Sequence, residues 1–332
     1  MQISRESLIR IAKETAEKSA LSDPNLVAAY LTGSLRTNDP FMGNATDVDI
    51  VFIHAGEPKI RREILPLTPE IHLDIFHNPR SLYEKPKELR VHPWLGPELY
   101  NPLPLYVTRH FFEFIQAGVR DRYNEPASVL ARSHQLALAA RQTWSKLQTG
   151  QAHGPEQVLD YLKSIYLVAN AVAVLAGEPL AERRFLLQFP ARARAAGQPD
   201  LAAGILRLLG ANSVDGTVLA GFLPDWEKTF LEATGRPNVD KRIAAARLGY
   251  YKLAFEATLA GELPQAIIWP LLLTWTLAVS VLPPLWELRW RSACGMLGLD
   301  EASFRLQLAG LDHFLDTIEA MQERLTVSQG LE

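Results

Sequence analysis

Cysteine is almost absent: Cys294 is the only one in 332 residues. A single thiol excludes an intramolecular disulfide and leaves no set of cysteine ligands for zinc, which fits a reducing, cytoplasmic setting. An excess of positive charge is also missing. Lys and Arg total 34 against 37 Asp and Glu, a formal net charge of −3. That balance lacks the basic footprint of a non-specific nucleic-acid binder. The first twenty residues, MQISRESLIRIAKETAEKSA, hold no apolar run of the kind a secretory signal needs. Leu8, Ile11, Ala12 and Ala16 instead recur at helical spacing, so the segment reads as an amphipathic first helix.

Charge is missing altogether from Leu263 to Trp286, LPQAIIWPLLLTWTLAVSVLPPLW. The length suits a membrane span, but Pro264, Pro270, Pro283 and Pro284 interrupt it. Between Pro270 and Pro283 a helix rises only about 18 Å, against a hydrocarbon core of about 30 Å. The expectation is a helix buried in protein, with no membrane partner. Internal repeats and low-complexity tracts are absent too, so a solenoid or a disordered chain is not indicated.

What is present divides into two compositions. In residues 1–80, helix-like and strand-like patterns alternate. Leu26–Leu35, Val48–His54 and Ile71–Phe76 are short apolar or β-branched runs bounded by turn residues, which predicts strands. Residues 78–106 carry six prolines between Pro79 and Pro104 and read as an irregular connection, with an edge strand near Leu103–Val107. From Pro126 onward the pattern is helical, in segments broken by Gly or Pro. The last of them, Glu301–Leu325, places Phe304, Leu308, Leu311, Leu315 and Ile318 on one stripe. Pro179 and Pro190 bracket a shorter helix. The fold class is therefore α+β: a small mixed-sheet domain over residues 1–118, then an all-helical domain over 119–332.

The chemistry concentrates in YLTGSLRTNDPFMGNATDVDIVFI, residues 30–53. Side chains alternate faces along a strand, so Asp47 and Asp49 share one face while Val48, Ile50 and Phe52 take the other. Their Cα atoms lie about 6.6 Å apart along an extended strand. Two carboxylates at that spacing can bind one cation, or two cations about 3.5–4 Å apart. In the next strand, IHLDIF, Asp74 shares a face with His72 and Phe76, and that face can adjoin the one carrying Asp47 and Asp49; the alternative for Asp74 is a salt bridge to an arginine from the helical half. Three carboxylates together repel one another unless a cation meets them, and oxygen donors with open positions suit Mg²⁺. Gly33 lets the backbone turn sharply and approach a phosphate, Ser34 supplies a hydroxyl, and Arg36 adds a positive charge. His54 and His72 read as polar residues of strand ends rather than ligands. Trp94 and Tyr100, in the proline-rich connection, are offered as stacking surfaces for a base or substrate.

An apolar strand ending in Gly-Ser, about a dozen residues, Asp-h-Asp-h (h, hydrophobic), then a third carboxylate on a later strand resembles the signature of the polymerase-β-like nucleotidyltransferases. Here the parts read YLTGS, then residues 35–46, then DVDI, then LDIF. The layout is most similar to aminoglycoside adenylyltransferases of the streptomycin/spectinomycin type, which join a catalytic domain to a helical bundle. The stretch VLDYLKSIYLVANAVAVLAGEPLAERRFLLQFP matches that layout of helix, Gly turn, basic residue and second helix. The resemblance implies that Asp47 and Asp49 hold Mg²⁺ with the triphosphate, and that Gly33 and Ser34 grip phosphates. It implies that Asp74 binds a second metal or takes the acceptor proton. It further implies that Lys163 and Arg183, or its neighbour Arg184, reach the triphosphate from the helical half.

The expected activity is transfer of NMP, AMP by the resemblance, from ATP or another NTP to a hydroxyl of a small acceptor, with release of pyrophosphate. Two rival readings remain from the sequence: the same chemistry on a protein or tRNA, and a non-catalytic partner of the toxin–antitoxin kind. The acidic charge speaks against tRNA. An Arg-x4–6-His element of the ribonuclease-like partners is not persuasive anywhere in the helical half.

Overall fold

The structure is a computed structural model that describes residues 3–108, 110–149 and 153–331. It divides into two compact units. The first comprises residues 1–124 and 246–254, the second 125–245 and 255–332. The first break between them falls at Asn124/Glu125. A nine-residue stretch of the otherwise helical half also folds with the first unit, a partition no local pattern encodes.

The first unit runs α1 (Arg5–Ser22), β1 (Leu26–Leu31), β2 (Thr46–His54), β3 (Arg62–Pro66), β4 (Ile71–Pro79), α2 (Pro86–Val91), α3 (Leu95–Tyr100), β5 (Leu103–Val107) and α4 (Phe111–Arg120). The strands form one mixed sheet in the order β3-β4-β2-β1-β5. Only β2 and β4 run parallel; the other neighbours are antiparallel. Ser4 caps α1 by accepting the Ser7 N–H, and Leu8, Ala12 and Ala16 are buried, as their spacing requires.

The pleat sorts the strand residues cleanly. On one face, Leu8, Ala12 and Ala16 of α1 pack with Val48, Ile50, Phe52, Leu73 and Ile75. On the other, Tyr30, Val51 and Ile53 pack with Leu89, Leu99, Phe112 and Ile115 from α2 to α4. Both faces are covered, which is why β1, β2 and β4 read as nearly continuous apolar runs.

Three expectations change here. The first strand stops at Leu31, not Leu35, because Gly33 turns the chain at φ +69° and residues Ser34–Arg36 form a 3₁₀ turn. Strand β3 was not expected: REILP opens on two charged residues, ends on a proline and lies exposed at the sheet edge, so its alternation is weak. The proline-rich connection holds two short helices, α2 started by Pro86 at its first position.

The second unit contains α5 (Pro126–Leu147), α6 (Pro155–Ala173), α7 (Phe185–Ala195), α8 (Leu201–Leu208), α9 (Gly216–Ala233), the end of α10 (Leu248–Leu259), α11 (Ile268–Val279), α12 (Glu287–Met296) and α13 (Glu301–Ser328). Pro190 lies inside α7 rather than ending it. The charge-free segment forms α11, buried along nearly its whole length. Its Thr274 and Thr276 hydroxyls accept the indole N–H groups of Trp226 and Trp290. That arrangement explains an apolar helix rich in Trp and Thr without recourse to lipid. Among the described residues no helix is long and apolar enough to cross a membrane.

Candidate active site of the first unit

Register places the carboxylates. In the parallel pair, Asp47 lies beside His72 and Asp49 beside Asp74. All four side chains leave the sheet on the face opposite α1. Asp47 is 8 % exposed and Asp74 1 %, so bulk water solvates and screens neither carboxylate well. Ligand atoms of Asp47, His72 and Asp74 lie within 4.8 Å of one another.

Positive charge meets this cluster from two arginines: Arg247, the salt bridge from the helical half that was the alternative for Asp74, and Arg62, which had not been singled out. Arg62 of β3 grips Asp74 with both prongs, Nε donating to Oδ1 at 2.8 Å and Nη2 to Oδ2 at 2.6 Å. Arg247 donates from Nη1 to Asp74 Oδ2 at 2.6 Å, and its Nη2 stands 4.0 Å from Asp47 Oδ2. Arg247 is 3 % exposed. Its guanidinium also lies 5.0 and 5.3 Å from the ring centres of Tyr250 and Tyr251, a weakly hydrated cation suited to such burial. Gly249 lets this segment approach: a Cβ there would stand 2.1 Å from the Pro69 carbonyl oxygen at the β3–β4 turn. Tyr250 in turn sets its ring edge-on to His72, centroids 4.9 Å apart.

Asp49 completes the group. Burial, then the charges of Asp47 and Asp74, push its carboxyl well above the usual range, and Arg247 and Arg62 oppose that shift. Gly33 lies directly against it. A Cβ at Gly33 would fall 1.8 Å from Asp49 Oδ2, and φ of +69° is itself a glycine conformation. The Thr32 N–H donates to the Asp49 carbonyl at 3.0 Å, fixing the turn to β2. Ser34 Oγ lies 3.2 Å from Thr46 Oγ1, beside the same strand. The Gly-Ser turn and the paired aspartates, thirteen or more residues apart in sequence, are thus one structural feature.

The other expected residues have their own surroundings. Arg36 donates from Nη1 to the Asn101 carbonyl at 2.7 Å, anchoring the turn to the end of α3. Tyr100 stacks on Tyr123 with centroids 4.1 Å apart, which uses one of its faces internally. Lys163 is exposed on α6 and Arg183 is buried, both within the helical unit. His54 sits at the far end of β2 from Asp47, on the α1 face.

No known protein family matches this chain, and no curated protein matches it either. The chemistry of the site has to be read from its own residues. Hard carboxylate oxygens from Asp47 and Asp49 fit a small divalent cation. Asp74 is committed to two guanidinium groups. With Asp49 holding its proton, Asp47 and Asp74 balance Arg62 and Arg247; a cation at Asp47 and Asp49 displaces that proton, so its binding strengthens as pH rises.

Proposed function

We propose that the chain is a Mg²⁺-dependent nucleotidyltransferase of the polymerase-β-like kind, moving NMP, AMP by the resemblance, from an NTP to a hydroxyl of a small molecule and releasing pyrophosphate. One observation carries the reading: Gly33 of the Gly-Ser turn abuts the carboxylate of Asp49, whose neighbours in the sheet register are Asp47 on the same strand and Asp74 on the next. Asp47 and Asp49 would hold Mg²⁺. When bound, that ion supplies charge neutralisation for the triphosphate and for the developing negative charge at the α-phosphorus. Gly33 keeps the backbone low enough for phosphate oxygens to come close, and Ser34 presents its hydroxyl at the same turn. Asp74 serves as the third carboxylate, and Arg62 and Arg247 hold it in place.

The arginines on Asp74 also favour a second reading, a nucleotide-binding protein without turnover, because a carboxylate that accepts three charged hydrogen bonds is a poor proton acceptor. The two are separated by incubating the protein with Mg²⁺, each of the four NTPs and a set of hydroxyl compounds, and following pyrophosphate. Acceptor-dependent release supports the transferase. Tight Mg-NTP binding with no release for any acceptor supports the binding protein.

A further inference from the structure

A second polar cluster lies on the opposite face of the sheet. His54 ends β2, and His77 stands on β4 beside Phe52. Both share the face of Ile50 and Ile75, whereas Asp47, Asp49 and Asp74 leave the other. From Asp47 to His54 is seven residues of strand, about 23 Å. Nothing in the carboxylate site uses these histidines.

Their hydrogen bonds do not balance as neutral rings. His54 Nδ1 lies 3.1 Å from Asp23 Oδ2, so that nitrogen carries hydrogen. His54 Nε2 faces His77 Nδ1 at 2.9 Å. His77 Nε2 is buried, lacks a hydrogen bond, and stands 3.6 Å from Glu63 Oε1. If His77 carries its hydrogen on Nδ1, its Nε2 lone pair confronts the Glu63 carboxylate. If it carries hydrogen on Nε2, two lone pairs confront each other at 2.9 Å. Either neutral arrangement leaves one repulsive contact, and one cation between the rings removes it.

We propose that His54 Nε2 and His77 Nδ1 form a two-histidine site for a divalent transition metal of the Zn²⁺ class, with Asp23 and Glu63 orienting the rings from behind. Carboxylates on the distal nitrogens are the usual backing of metal-bound histidines. The nitrogens face each other nearly in line, with ring centres 5.1 Å apart; to hold a tetrahedral zinc at Zn–N distances of about 2.0–2.1 Å they part by about 0.5 Å and both rings turn so that their lone pairs converge on the ion. A cavity of about 450 Å³, lined by both histidines, Asp23 and Glu63, adjoins the pair and leaves room for the remaining ligands. Burial also pushes His77 below the ordinary histidine range, against the pull of Glu63, so it offers a lone pair at neutral pH.

The test is a Zn²⁺ titration of the full chain after chelator treatment. Zn²⁺ taken up by the carboxylate face is separated with Asp47→Asn, which removes a ligand of that group; one equivalent should remain bound in Asp47→Asn. His77→Gln should weaken that binding at least tenfold, and Asp23→Asn by about 10–100-fold. In wild-type protein, needing no variant to fold, Zn²⁺ should shift the imidazole ¹⁵N resonances of His54 and His77. Equal affinity in His77→Gln overturns the proposal. So do imidazole signals that ignore Zn²⁺ and titrate with pH as a shared proton.

Discussion

At the scale of single residues, the decisive groups are Asp49, Asp74 and the arginines that meet them. The carboxyl of Asp49 is raised from its ordinary 3.8. As pH climbs through that value the unfolded chain releases its proton first while the folded chain keeps it. The metal-free fold therefore loses stability from there up to the raised value. Asp49→Asn removes the loss: its melting temperature should exceed that of wild type at pH 8 and converge with it near pH 4, in thermal melts with chelator present. Arg247 gives the complementary prediction. Replacing it with Gln strips Asp74 of one of two cations in a buried site, a change that costs about 3–5 kcal/mol when a buried pair is broken. Urea unfolding of Arg247→Gln should show that loss. Added Mg²⁺ should recover more stability in this variant than in wild type.

At the scale of elements, most of the first unit was legible and the reasons for the exceptions are physical. Strands β1, β2 and β4 are covered on both faces, so their sequences are apolar enough to read. The alternation in DVDI and HLDIF correctly places Asp47, Asp49 and Asp74 on one side. Strand β3 is an edge with few apolar residues, and missing it concealed Arg62. Arg247 left no local sign at all, because its contact with Asp74 spans 173 residues and depends on Gly249 fitting against Pro69. The Gly-Ser turn was legible as a turn, but its contact with Asp49 is tertiary. That contact is testable: Gly33→Ala combines a strained φ with a Cβ in the space of Asp49 Oδ2. It should destabilise the fold and displace the Asp49 carboxylate, so Mg-nucleotide affinity should fall together with the urea midpoint. Wild-type values for both would contradict the close packing described. In the helical unit, burial pushes the Cys294 thiol up to about 12. It should resist thiol reagents at pH 8 in the native chain and react fully in denaturant.

For the whole molecule, the two units are not two consecutive pieces of sequence. Residues 246–254 return to the first unit and bring Arg247 and Tyr250 to Asp74 and His72. A fragment ending at Asn124 lacks them and keeps only Arg62 on Asp74, so it should unfold at lower urea than the same residues do in the full chain; an unchanged midpoint would show that the returning stretch contributes nothing. The boundary proposed from composition could not anticipate this, since a helical segment looks the same whichever unit receives it. The central claim, a carboxylate site that takes a metal-bound nucleotide, is tested most directly by titrating each NTP into the full chain with Mg²⁺ and again with EDTA, in wild type, Asp47→Asn and Asp49→Asn. Binding that requires Mg²⁺ and is lost in both variants is the expected result. Equal affinity with and without Mg²⁺, or undiminished binding in both variants, would contradict it.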